Sequence, residues 1–123
     1  MAALNDKVFD SGLNVIDTDT ENLYILSGDP GLTWSNIGTL GLGNKATPSI
    51  AAPSDRSGGG REGVVSAITD GSVTANGTAT HYALTDDSLT LILASGPLSA
   101  SQGVTSGNTF TLTEFAIGIP DPA

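Results

Sequence analysis

EGVVSAITDGSVTANGTATHYALTDDSLTLILAS, residues 62–95, is the stretch that decides the fold class. EGVVSAIT reads as a strand, and Asp70-Gly71 is a two-residue hairpin signal leading into SVTAN. After Gly77, TATHYALT reads as another strand. Asp86, Asp87 and Ser88 turn the chain, and LTLILAS brings it back. Alternation along Thr78–Thr85 puts Ala79, His81, Ala83 and Thr85 on one face, with Thr80, Tyr82 and Leu84 on the other. Strands joined by tight turns predict antiparallel pairing, and hence a β domain.

Downstream, GPLSASQ reads as a loop or short edge segment, because Pro97 cannot donate to a ladder. GVTSGNTFTLTEFAIGIP then offers a turn at Ser106 to Asn108 and a long final strand. Phe110 and Leu112 share one parity, whereas Phe115, Ile117 and Ile119 share the other. Holding both sets on one face predicts a β-bulge near Thr113 and Glu114.

Upstream, Val8, Phe9, Gly12, Leu13 and Ile16 fall on one face of a helix read over residues 5–16. Asn5 suits its N-cap and Asp6 its positive end, while Gly12 weakens the interior by roughly 1 kcal/mol relative to Ala. DTDTEN breaks that periodicity, LYILS reads as a buried strand, and GDPG ends it in a turn. Residues 32–61 show no clear pattern, with Pro48, Pro53 and three consecutive glycines. A long irregular loop in a small domain is usually functional or ordered by a partner. Its apolar residues Trp34, Ile37, Leu40 and Leu42 are therefore the expected subunit or capsid contact.

The 123 residues fit one domain with one modest core. Sixteen glycines and many Ser and Thr suit short strands and tight turns. Only 38% of residues are hydrophobic and 5% aromatic, so each buried side chain contributes modest area and subunit contacts would add stability. Thirteen acidic against four basic residues give a net charge of −9, which disfavours direct nucleic-acid binding. The absence of cysteine rules out disulfides and cysteine-ligated metals. MAALNDKVFDSG lacks a basic region followed by an apolar stretch, and LTLILA is too short to span a bilayer, so a soluble protein made in the cytosol is expected. The expected architecture is mainly β: a compact antiparallel sandwich or barrel, residues 62–120 forming its β-rich part, with one N-terminal helix over an open sheet face or end.

Motifs that could carry chemistry read as structure. His81 is the only histidine, and Asp86 and Asp87 lie about 17–20 Å along the strand from it at roughly 3.3 Å per residue, too far to orient its ring. GGGREG contains a formal G-x-G-x-x-G at Gly58, Gly60 and Gly63, but a Pro/Ser loop precedes it and a β pattern follows, so a turn is expected. Asp17, Asp19 and Glu21 alternate as at the start of a calcium loop, yet Asn22 and Gly28 occupy the positions that need Gly and a bidentate Glu. Asn76-Gly-Thr matches a glycosylation acceptor and reads as a turn. The chain has no G-x-S-x-G, and no acid pair stands out among its carboxylates. No catalytic residue, cofactor site or metal site is nominated, and an enzyme is not expected.

The segments GTATHYALTD, LSASQGVTSGNTFTL and IGIPD, with weaker support from NLYILSGDPG, resemble small virion structural proteins encoded among the head genes of tailed bacteriophages. The resemblance covers most of the chain from Asn22, apart from Leu32 to Ser57, and transfers no functional residues. It implies a capsid decoration protein that binds the outer surface of the assembled head, with the major capsid protein as partner. It further implies a homo-oligomer, a trimer in the favoured case, located in the virion after synthesis in the bacterial cytoplasm. A neck, tail or head-spike component is the alternative within the particle. Outside it, a carbohydrate-binding β module would use Trp34 or Tyr82 as a sugar platform, with or without calcium.

Overall fold

The computed structural model describes residues 6–119. The chain forms α1 (Asp6–Asp19), β1 (Asn22–Leu26), α2 (Ser35–Leu40), β2 (Gly41–Ala46), β3 (Ser54–Asp55), β4 (Arg61–Val65) and β5 (Ile68–Val73). It continues through β6 (Gly77–Asp86), a 3-10 turn (Asp87–Leu89), β7 (Leu91–Val104), β8 (Thr109–Leu112) and β9 (Phe115–Ile119). The fold is mainly β with one N-terminal helix, as expected. A curled six-stranded antiparallel sheet has the order β7-β6-β1-β2-β5-β8, and a smaller sheet has the order β3-β4-β9.

β1 and β6 lie at the middle of the large sheet, and both of its faces are buried there. Leu23 and Ile25 pair with Leu84 and Tyr82 on the face of the main core, which also holds Ile16, Val65, Ile68, Val73 and Phe110. On the opposite face Leu26 and Ala83 join Ile37 and Ile92 in a second cluster. α1 supplies Leu13 and Ile16 to the interior and reaches three residues beyond the expected end at Ile16. Thr18 Oγ1 donates to the Asn14 carbonyl (2.8 Å) in that last turn. Asn5, read as the N-cap, lies outside the described residues.

The irregular reading of residues 32–61 is corrected: α2, β2 and β3 all fall there. β2 was hidden by its own glycines. A Cβ on Gly43 would collide with the Ser72 carbonyl oxygen, so glycine is what lets β2 approach β5. Asp70-Gly71 is not a hairpin turn but lies inside β5, where the pairing with β8 shifts between Ile68 and Gly71. The Phe110 ring occupies the space that a side chain at Gly71 would need. The glycine accommodates the largest fully buried side chain.

Two long strands expected from sequence each divide at the same level. β4 and β9 pair from Arg61↔Ile119 to Val65↔Phe115, and β5 and β8 resume at Ile68↔Leu112. Between them Ser66–Ala67 and Thr113–Glu114 carry the ribbon from the small sheet into the large one. The parity change at Thr113 and Glu114 is therefore a sheet crossing rather than a bulge, and Phe110, Leu112, Phe115 and Ile117 all still pack on the main core. GPLSASQ takes the edge alternative rather than the loop, since β7, longer than a short segment, runs through it as a border strand that tolerates Pro97. The turn at Ser106 to Asn108 forms as expected, with Gly107 at φ 90°.

Candidate functional site

The two borders of the large sheet, β7 and β8, are drawn together by one side chain. Gln102 Nε2 donates to the Thr111 carbonyl (2.7 Å), and the Thr111 amide donates back to Gln102 Oε1 (3.3 Å). The amide thus imitates one rung of a β ladder across the seam. Beside that rung, β7 departs from its partner: Ala79 pairs with Gln102 but His81 with Pro97, leaving Leu98–Ser101 opposite Thr80 alone. These four residues stand out as a large bulge.

Between this bulge and the β8–β9 crossing lies an open groove of about 670 Å³, within the size range of ligand sites. Ile68, Tyr82, Leu98, Leu112 and Phe115 make its apolar walls. Ser99, Ser101, Thr69, Thr111 and Thr113 add hydroxyls, and Glu114 is its only charged residue among those described. Tyr82 and Phe115 pack ring to ring at 4.5 Å and 45°, and the Tyr82 ring also lies against the Gly96 backbone. Burial pushes the Tyr82 phenol above its usual pKa. Such a surface can bind an extended or apolar partner.

A second constellation lies at the other end of β6. Asp87 accepts from Asn22 Nδ2 (2.9 Å), Tyr24 OH (2.9 Å) and Thr85 Oγ1, and Asn44 Nδ2 extends the chain to Asn22 Oδ1 (2.9 Å). Burial, then the hydrogen bond to Asp87 and its charge, push the Tyr24 phenol up to about 12. Next to it Asp86 accepts from the Leu89 amide (3.3 Å), and Glu21 accepts from the Ser88 amide (3.0 Å). The hydrogen bond between Asp86 and Glu21 raises the Asp86 carboxyl, while bonds from Ser88 and Asp86 lower that of Glu21. Together these contacts tie β1 and β2 to the β6–β7 turn, so Asp86 and Asp87 close the strand as the sequence suggests.

His81 does not meet them. Its Nδ1 lies 2.9 Å from Thr80 Oγ1, and its ladder neighbours are Leu26 and Pro97. Among the described residues no carboxylate is hydrogen-bonded to the ring. Among the described residues no group of three or more His, Cys, Asp or Glu is placed to hold a metal ion. The three glycines at 58–60 form the β3–β4 turn, in which the Arg56 amide donates to the Gly60 carbonyl (3.1 Å). Asn76 Oδ1 accepts from the Ser106 amide (2.8 Å), a clamp between two turns.

The four residues nominated as a contact sit elsewhere than expected. Ile37 (8% exposed) and Leu42 (6%) are buried in the chain's own second and main clusters. Trp34 and Leu40 are partly buried against the second cluster. The premise of an exposed apolar loop is thereby overturned, because Trp34, Ile37 and Leu40 recur at helical spacing and α2 turns them inward. The exposed apolar residue of this region is Leu32, at 70%. The groove itself was not anticipated: the turn at Ser106 to Asn108 makes β7 and β8 neighbours, but nothing in the sequence signals the four-residue bulge of β7.

No protein-family model, curated protein or solved structure matches the chain.

Proposed function

We propose that this chain is a capsid decoration protein of a tailed bacteriophage, bound through the seam groove to the major capsid protein on the outer face of the assembled head. One observation carries the reading. GTATHYALTD is β6, LSASQGVTSGNTFTL runs from the β7 bulge through β8, and IGI ends β9. Two of the segments that carry the family resemblance, GTATHYALTD and LSASQGVTSGNTFTL, thus meet at one groove, supplying Tyr82, Leu98–Gln102, Thr111 and Leu112 to its lining. The apolar floor and hydroxyl rim suit a protein surface, and the acidity of the chain disfavours packaged nucleic acid as the partner. A protein that binds only the assembled lattice stabilises that lattice by mass action, and many copies add avidity.

The test is stoichiometry in purified particles together with binding of the purified chain to empty expanded heads. A copy number that scales with the capsid subunits is expected, with binding reduced by Ala100→Trp in the groove. A copy number matching the portal axis would place the protein in the neck, tail or a spike instead. No association with particles would end the virion reading.

A further inference from the structure

The borders of the two sheets are not equally protected. β3 is only two residues long, β7 carries Pro97 and its four-residue bulge, and β8 is tied down by Gln102. Short strands, proline and bulges are the devices that keep strand edges from pairing with other chains. β9 has none of them. It pairs with β4 in unbroken register, and among the described residues its other side has no ladder partner. Its five residues, Phe-Ala-Ile-Gly-Ile, contain no charge and no proline. Phe115 and Ile117 turn toward the core, while on the other face Ala116 and Gly118 are exposed, with the Arg56 side chain lying over Gly118.

We infer that β9 pairs with β9 of a second copy of this chain, antiparallel about a two-fold axis through Ile117. Antiparallel pairing about a central residue preserves the face of every side chain, so core-facing residues stay on the core side in both copies. Ile117 then opposes Ile117 of the other copy, Ala116 opposes Gly118, and Phe115 opposes Ile119.

Charge permits this partner at this edge. Two copies at −9 repel over most of their surfaces, yet this pairing opposes no two acids. Glu114 lies beyond the paired segment. One strand further in, Glu62 shares its row with Gly118, then with Ala116 and Val64 of the second copy. Arg61 shares its row with Ile119, then with Phe115 and Val65 of the second copy. A β3-β4-β9 sheet would become a continuous six-stranded sheet across the axis. The contact is two-fold, in place of the three-fold arrangement implied by the family resemblance, and it does not depend on head binding.

Five residues of strand bury far less than the roughly 1,600 Å² of a standard interface, so the dimer is weak and concentration-dependent. Sedimentation equilibrium of the full chain should show the mass rising from 12.3 kDa toward twice that value as concentration increases. Ala116→Lys should weaken the dimer about tenfold or more by setting two ammonium groups on neighbouring diagonal positions, without altering the circular dichroism of the monomer. Because the chain has no cysteine, Ala116→Cys carries a single spin label. In this register the two labelled positions have Cα atoms about 7–8 Å apart, so dipolar broadening should appear with the dimer. A mass of 12.3 kDa at every concentration, a trimer, or a dimer without broadening and indifferent to Ala116→Lys would overturn the inference.

Discussion

The middle of the large sheet and its seam are built to opposite specifications. At β1 and β6 every strand has two neighbours, apolar clusters bury both faces, and the strand end is locked by the Asp87 network. At the seam two border strands are joined by a short turn and the hydrogen bonds of one glutamine side chain, four residues of β7 have no ladder partner, and a groove stays open between them. The difference teaches where each property lives. Stability resides where contacts are satisfied within the chain, and binding capacity where they are not.

The largest test of that division is Phe110→Ala. Phe110 is fully buried and packs over Gly71, so its loss should cost about 3–5 kcal/mol in a denaturant titration, with no change in the urea m-value if folding stays two-state. Trp34→Ala comes next. The partly buried ring covers the second cluster, so a loss of about 2–3 kcal/mol is expected rather than the loss of particle binding alone that an exposed contact would give. A stability change below about 0.5 kcal/mol would return Trp34 to the surface role read from sequence.

How much of this was legible beforehand follows from what each residue's neighbours are. β6, its closing turn and the turn around Gly107 were readable because local alternation and turn chemistry decide them. The parity change at Thr113 and Glu114 was visible too, but one strand cannot reveal whether it bulges or changes sheets. Gly43 and Gly71 misled for a shared reason. Glycine in sequence signals a turn, whereas here it signals a close approach by Ser72 and by Phe110, residues distant along the chain or across a ladder. The groove depends on the four-residue bulge of β7 opposite Thr80, which has no local signature.

Gln102→Ala sharpens the comparison at the seam. Two exposed hydrogen bonds are lost, so global stability should fall by only about 1 kcal/mol. The Thr111 amide should nevertheless lose most of its protection from hydrogen exchange, while amides of β1 keep theirs. Uniform loss across the sheet would mean that seam and middle unfold as one unit.

The smallest effect is expected from the phenol that locks the middle. Tyr24 titrates near 12 rather than 10, because burial and Asp87 disfavour its phenolate. The folded state therefore holds the proton more tightly than the unfolded chain does. The stability linked to Tyr24 is fully present below pH 10 and is lost as pH rises from 10 toward about 12. Tyr82→Phe isolates Tyr24 for ultraviolet titration. In that background Asp87→Asn should lower the Tyr24 midpoint, because it removes the adjacent negative charge while burial remains. An unchanged midpoint would mean that burial alone sets the value, and that the Asp87 network fixes geometry without contributing charge.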